Sequence, residues 1–172
     1  MTLSEMRGNM GKDKVVKKAP VPLYEEPEGL ACIEFLSIVL APYQGIAAGD
    51  LQHMLESIWR ACRSDKVKYL KVARWYAVHL TVLVREQRED IDVISRIWRT
   101  ATVKPTPKEQ ATVELFLKKE ESRFSSEEVK RVHLIMNSIY EGNIYRLKQA
   151  AGSIVIVLDE WIAEADYCER IS

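Results

Sequence analysis

The chain has 172 residues, 47% hydrophobic and 29% charged, which excludes a largely disordered protein and leaves room for one domain rather than two. Lys plus Arg and Asp plus Glu both number 25, so no net charge announces a nucleic-acid or membrane partner. Any such signal has to come from how the charges are sorted along the chain.

Residues 1–28 differ in composition from the rest. Gly8, Gly11, Pro20, Pro22 and Pro27 oppose a helix, and Arg7, Lys12, Lys14, Lys17 and Lys18 make the first part basic before the acidic Glu25, Glu26 and Glu28. This predicts a flexible basic arm ending in an acidic, proline-containing linker. Within it, Pro20, Val21, Pro22, Leu23 and Tyr24 favour an extended, polyproline-like piece, either a solvated tail or a ligand for a partner's groove.

Residues 29–172 read as a single helical domain. Leu30, Ile33, Phe35, Leu36, Val39 and Leu40 predict a short helix stopped by Pro42, with residues 33–40 also compatible with a strand. Leu51, Met54, Leu55, Ile58, Trp59 and Cys62 form an apolar stripe at helical spacing behind Asp50 as N-cap. Ser64 or Asp65 then caps a helix carrying Val67, Leu70, Ala73, Ala77, Leu80 and Val84. Val72, Trp75, Tyr76, Val78, Val82 and Leu83 widen its apolar surface, so it is expected to be the central and most buried helix. A shorter helix is expected around Ile91, Ile94, Ile97 and Trp98.

Thr106-Pro107-Lys108-Glu109 is a capping box with proline at the first helical position, and Val113, Phe116 and Leu117 supply the buried side of the helix it starts. Ser125 and Glu128 make a second box ahead of Val129, Val132, Met136, Ile139 and Tyr140, with Gly142 as the C-terminal cap. Residues 154–158 have strand propensity, yet Leu147, Ala151, Ile154, Leu158, Trp161, Ala165 and Cys168 step by 4 and 3 and favour one helix over about 143–169. Gly152 within it permits a kink or a close crossing. The expected fold is all-α, a compact bundle of about six to seven helices. The expected core holds Leu55, Ile58, Trp59, Leu70, Leu80, Ile94, Phe116, Met136, Leu158 and Trp161.

Catalytic and metal signatures are missing from the pattern. His53, His79 and His133 are isolated, no glycine-rich phosphate loop occurs, and no cofactor is expected. Cys62 brought near His79 by the fold, or the carboxylates Asp159, Glu160, Glu164, Asp166 and Glu169, are the only enzyme-like candidates. A buried thiol and a solvated acidic face are the readings the pattern favours for them, so a non-enzyme is expected. Cys32, Cys62 and Cys168, odd in number and far apart, predict reduced thiols. Residues 1–6 lack a signal-peptide core and the uncharged run 35–49 is broken by Pro42 and Gly45. An intracellular protein, cytoplasmic or nuclear, without a membrane span is expected.

The remaining signal is charge. Arg60, Arg63, Lys66, Lys68, Lys71 and Arg74 face only Asp65 over 60–74, with Tyr69 and Trp75 nearby to stack on a base or rest at a lipid headgroup. With Lys12, Lys14, Lys17 and Lys18 they predict a non-enzymatic binding and assembly protein for a polyanion, RNA or DNA or an anionic membrane. The alternative is a protein adaptor using Pro20 to Tyr24 or an apolar helix face. A basic arm ahead of a small helical domain is similar in outline to viral matrix and nucleocapsid proteins, a likeness of layout and not of motif. The seam Leu147, Ala151, Ile154, Leu158, Trp161 and Ala165 is long enough to bury against a second copy as a homodimer, or to pack within the bundle.

Overall fold

The computed structural model describes residues 28–86, 105–140 and 144–172, with the side chains of 28–30, 84–86, 140 and 144–150 left aside. They form six α-helices and no strand: α1 (Glu28–Val39), α2 (Gly45–Ala61), α3 (Lys66–Glu86), α4 (Pro107–Glu121), α5 (Ser126–Tyr140) and α6 (Ile144–Ile171). The basic arm, the helix expected around Ile91 to Trp98, and Gly142 lie outside the described residues.

Both segments that also fitted strands are helical, because their burial follows the helix period. Phe35, Leu36 and Val39 turn inward from α1, and Ile154 and Leu158 from α6, whereas Ile156 between them is exposed. A strand would have alternated. The α1 helix ends in a turn at Pro42, where Tyr43 N–H donates to the Leu40 carbonyl at 2.9 Å. The Tyr43 hydroxyl donates to the Ile139 carbonyl at 2.8 Å and so fastens this turn to the end of α5.

The α2 helix starts earlier than its apolar stripe implies. Gln44 sits at the N-cap without a side-chain bond, and Asp50 is an interior residue of the helix, not its cap. Its carboxylate is buried and accepts from His79 Nδ1 of α3 at 2.6 Å. That pairing, with His53 stacked on Tyr76, sets α2 and α3 antiparallel across a turn at Asp65. Asp65 takes φ 41°, a left-handed conformation that Asp tolerates better than most side chains. Its carbonyl receives the Tyr69 N–H, the first hydrogen bond of α3.

Both capping boxes form as read. Thr106 Oγ1 accepts from Glu109 N–H and Glu109 Oε1 from Thr106 N–H, each at 3.2 Å. Ser125 and Glu128 exchange the same pair of bonds at 3.3 and 3.1 Å.

The helices share one core. Its centre is aromatic: Phe35 stacks on Phe116 with centroids 4.4 Å apart, and Trp59 meets both edge-on at 5.9 Å. Phe124 joins Trp59 to Trp161 and so links α2 to α6. Every expected core residue except Ile94, which lies outside the described residues, is buried, and Ile135 of α5 joins them.

Two further expectations need correction. Val72 and Trp75 do not widen the buried surface of α3, because they point to solvent. Gly152 serves no close helix crossing, since a Cβ built there meets nothing within 4 Å. The seam of α6 is used within the chain: Ala151, Ile154, Leu158, Trp161 and Ala165 are buried against the core, and Cys168 is exposed beyond its end. The side chain of Leu147 lies outside those described. No helix among the described residues is long and apolar enough to cross a membrane.

Candidate functional site

The six cations of 60–74 do not act as one patch. Arg63 is spent internally: its guanidinium makes a two-pronged contact with Glu120 of α4 at 3.0 and 3.1 Å and donates to the Trp59 carbonyl at 2.8 Å. Lys66 Nζ lies 2.9 Å from Glu128 Oε2 at the start of α5, and Arg74 Nε pairs with Asp159 of α6. Arg60 is half-buried in the last turn of α2, where its charge offsets part of the burial effect that pushes the Glu56 carboxyl up. Lys68 and Lys71 remain. Both are exposed on α3 and neither has a carboxylate within ion-pair distance among the described residues. Lys68 Nζ sits 5.4 Å from the centroid of the Tyr69 ring.

The two aromatic residues expected near the patch also part. Tyr69 is 8% exposed and belongs to the core, whereas Trp75 is 61% exposed. Trp75 is nonetheless held in place. His79 stacks on it at 5.5 Å with 12° between planes, and Tyr76 meets it edge-on at 4.9 Å. The buried carboxylate of Asp50 can only accept, so His79 Nδ1 carries the proton in their 2.6 Å bond, which fixes the imidazole and through it the indole.

Between α3 and α6 a depression of about 390 Å³ is lined by Lys71, Arg74, Trp75, Val78, Asp159 and Ile162. One turn earlier, a second of about 420 Å³ lies among Lys68, Lys71, Asp65 and Glu169. The exposed stripe of α3 is therefore Lys68, Lys71, Val72, Trp75 and His79, and no linear run in the sequence isolates it. A different surface, a groove of about 740 Å³ between α1 and α2, is lined by Ile33, Leu36, Leu40, Ala48, Gln52 and neighbours with no charged residue among them.

Cys62 and His79 are not brought together. The Cys62 thiol donates to the Trp59 carbonyl at 2.8 Å and sits 3.4 Å from Arg63 Nη1, while His79 belongs to Asp50 and Trp75. Burial pushes the thiols of both Cys62 and Cys32 up to about 11, opposing the thiolate a nucleophile needs. The acidic residues of α6 are partly paired, Asp159 with Arg74, Glu164 with Arg131 and Asp166 with Arg170. Among the described residues no group of three or more His, Cys, Asp or Glu is placed to hold a metal ion. Lys12, Lys14, Lys17 and Lys18 lie outside the described residues. Compared with family models, curated proteins and solved structures, the chain matches none.

Proposed function

We propose that this chain is a non-enzymatic binding and assembly module for a polyanion, with its contact surface narrowed from 60–74 to the exposed stripe of α3. One observation carries this reading. Lys68 and Lys71, the exposed cations of that stretch that make no ion pair among the described residues, stand in line with an exposed tryptophan held by His79 and Tyr76. Cations attract phosphates through counterion release, and an aromatic face adds contact that charge alone lacks. The basic arm, through Lys12, Lys14, Lys17 and Lys18, adds a second cationic element, and the layout shared with matrix and nucleocapsid proteins belongs with this reading.

The test is binding to labelled oligonucleotides and to anionic vesicles over a range of salt. For a single strand, two phosphate contacts correspond to about a sevenfold loss of affinity between 50 and 200 mM salt. The arm would steepen this. Lys68→Glu with Lys71→Glu is expected to weaken binding while leaving the fold intact. Binding insensitive to both salt and charge reversal overturns the assignment. A protein that binds neither nucleic acid nor anionic vesicles is instead an adaptor, working through Pro20 to Tyr24 or the uncharged groove of α1 and α2.

A further inference from the structure

We infer that the depression between α3 and α6 receives one unstacked base of a single-stranded nucleic acid, laid on Trp75, with the adjoining phosphates on Lys71 and Lys68. This rests on the polyanion reading and names its ligand. A tryptophan this exposed would ordinarily sample several rotamers, and ordering it on binding would oppose association. Here the ordering is already done. The imidazole of His79 covers one face of the indole, Tyr76 braces its edge, and buried Asp50 anchors His79 from α2. Trp75 remains 61% exposed and lines the depression, which leaves ring surface for stacking.

The surroundings of that ring suit a base. Val78 and Ile162 give the depression apolar walls, and the Arg74–Asp159 pair sets a donor and an acceptor side by side at its edge, as the polar rim of a base requires. Its volume of about 390 Å³ falls in the range of small-ligand sites. Lys71 lies one turn before Trp75 on the same face, and Lys68 nearly one turn before that, so a strand running along α3 meets cations in succession.

The flanks decide between a strand and a membrane. Asp159 borders the Trp75 depression and Glu169 the Lys68 depression. A flat anionic bilayer would press against both carboxylates, while a thread one nucleotide wide needs only the stripe between them. Duplex is disfavoured separately, because its bases are stacked on one another and offer no free face.

The experiment measures affinity of the full-length chain for a labelled single strand, the same sequence as duplex, a strand with abasic residues, and phosphatidylserine vesicles. Trp75→Ala, Trp75→Phe and the Lys68→Glu, Lys71→Glu pair are compared with the parent. Because Trp75 is outside the core, circular dichroism should show all variants folded. Trp75→Ala is expected to weaken single-strand binding roughly tenfold to a hundredfold and Trp75→Phe much less, with duplex and abasic strands bound more weakly from the start. If single strand, duplex and abasic strand bind alike and Trp75→Ala changes nothing, while charge reversal still weakens them, the base site is wrong and the polyanion surface stands. Trp75-dependent binding to vesicles with no binding to oligonucleotides makes the occupant a membrane and overturns the base site. Binding to none of them overturns both.

Discussion

Removing the carboxylate of Glu120 should cost this protein more than any other single charge change on the described surface of α4. The side chains of Arg63 and Glu120 are 11% and 4% exposed, so neither recovers much hydration when the other is lost. In Glu120→Ala the guanidinium loses both contacts at 3.0 and 3.1 Å and keeps the bond to the Trp59 carbonyl. Breaking a buried pair from one side costs about 3–5 kcal/mol, because the surviving charge stays buried with its two-pronged carboxylate partner gone. For a chain of this size each kcal/mol shifts Tm by about 2–4 °C, so a fall of roughly 6–20 °C is expected. Replacing both partners with Met removes the stranded charge and should recover most of that loss. Urea unfolding followed by far-ultraviolet circular dichroism gives both values. A loss below about 1 kcal/mol, the worth of an exposed pair, would refute the reasoning and return Arg63 to the surface as a ligand contact. It also follows that weakened binding in Arg63→Glu would report damage to the fold, which is why the charge-reversal test uses Lys68 and Lys71.

Three further outcomes are expected. Burial alone would push the Glu128 carboxyl up, but Lys66, the Ser125 N–H and the Trp161 indole N–H together outweigh it and hold it below 4.5. Folding therefore favours its ionised form, so its contribution is present above pH 4.5 and lost as pH falls further. Glu128→Gln should lower stability at pH 7 and flatten the acid limb of the unfolding free energy against pH, and parallel curves would contradict this. Gly152→Ala should raise the unfolding free energy by about 1 kcal/mol, since α6 runs through this position and the added methyl meets nothing within 4 Å. Leu158→Asp places a charge at a fully buried position, so light scattering and circular dichroism should find an unfolded or aggregated chain. A folded monomer derived from a parent dimer would instead put this seam at an interface between copies.

What could be read from the sequence was local. Each capping box is complete within four residues, so Thr106 with Glu109 and Ser125 with Glu128 gave helix starts that the structure reproduces. The α6 seam was legible because its period is intrinsic to the helix. The start of α2 was not, because Gln44 forms no side-chain cap while Asp50 resembles one; Asp50 is committed to His79, a partner from the next helix. The fate of the basic residues was hidden for the same reason on a larger scale. Glu120 lies 57 residues from Arg63 and Asp159 lies 85 from Arg74, and nothing within the 60–74 stretch announces either.

Part of that division was nonetheless present in the sequence, in helical phase. At about 100° per residue, Lys68, Lys71 and Trp75 fall within roughly 60° of one another around α3. Tyr69 is about 120° from Trp75, Arg74 about 100° and Lys66 about 180°. The residues that phase separates from Trp75 are the ones the structure takes out of solvent contact or pairs: Tyr69 in the core, Arg74 with Asp159, Lys66 with Glu128. Leu70, Ala73, Ala77 and Leu80 occupy the arc opposite Trp75 and are buried there. A basic run counted along the chain therefore overstates a binding surface whenever it crosses a helix, because only the cations in phase with the exposed arc are presented together. In α3 that arc holds Lys68 and Lys71, and Trp75 is its aromatic residue.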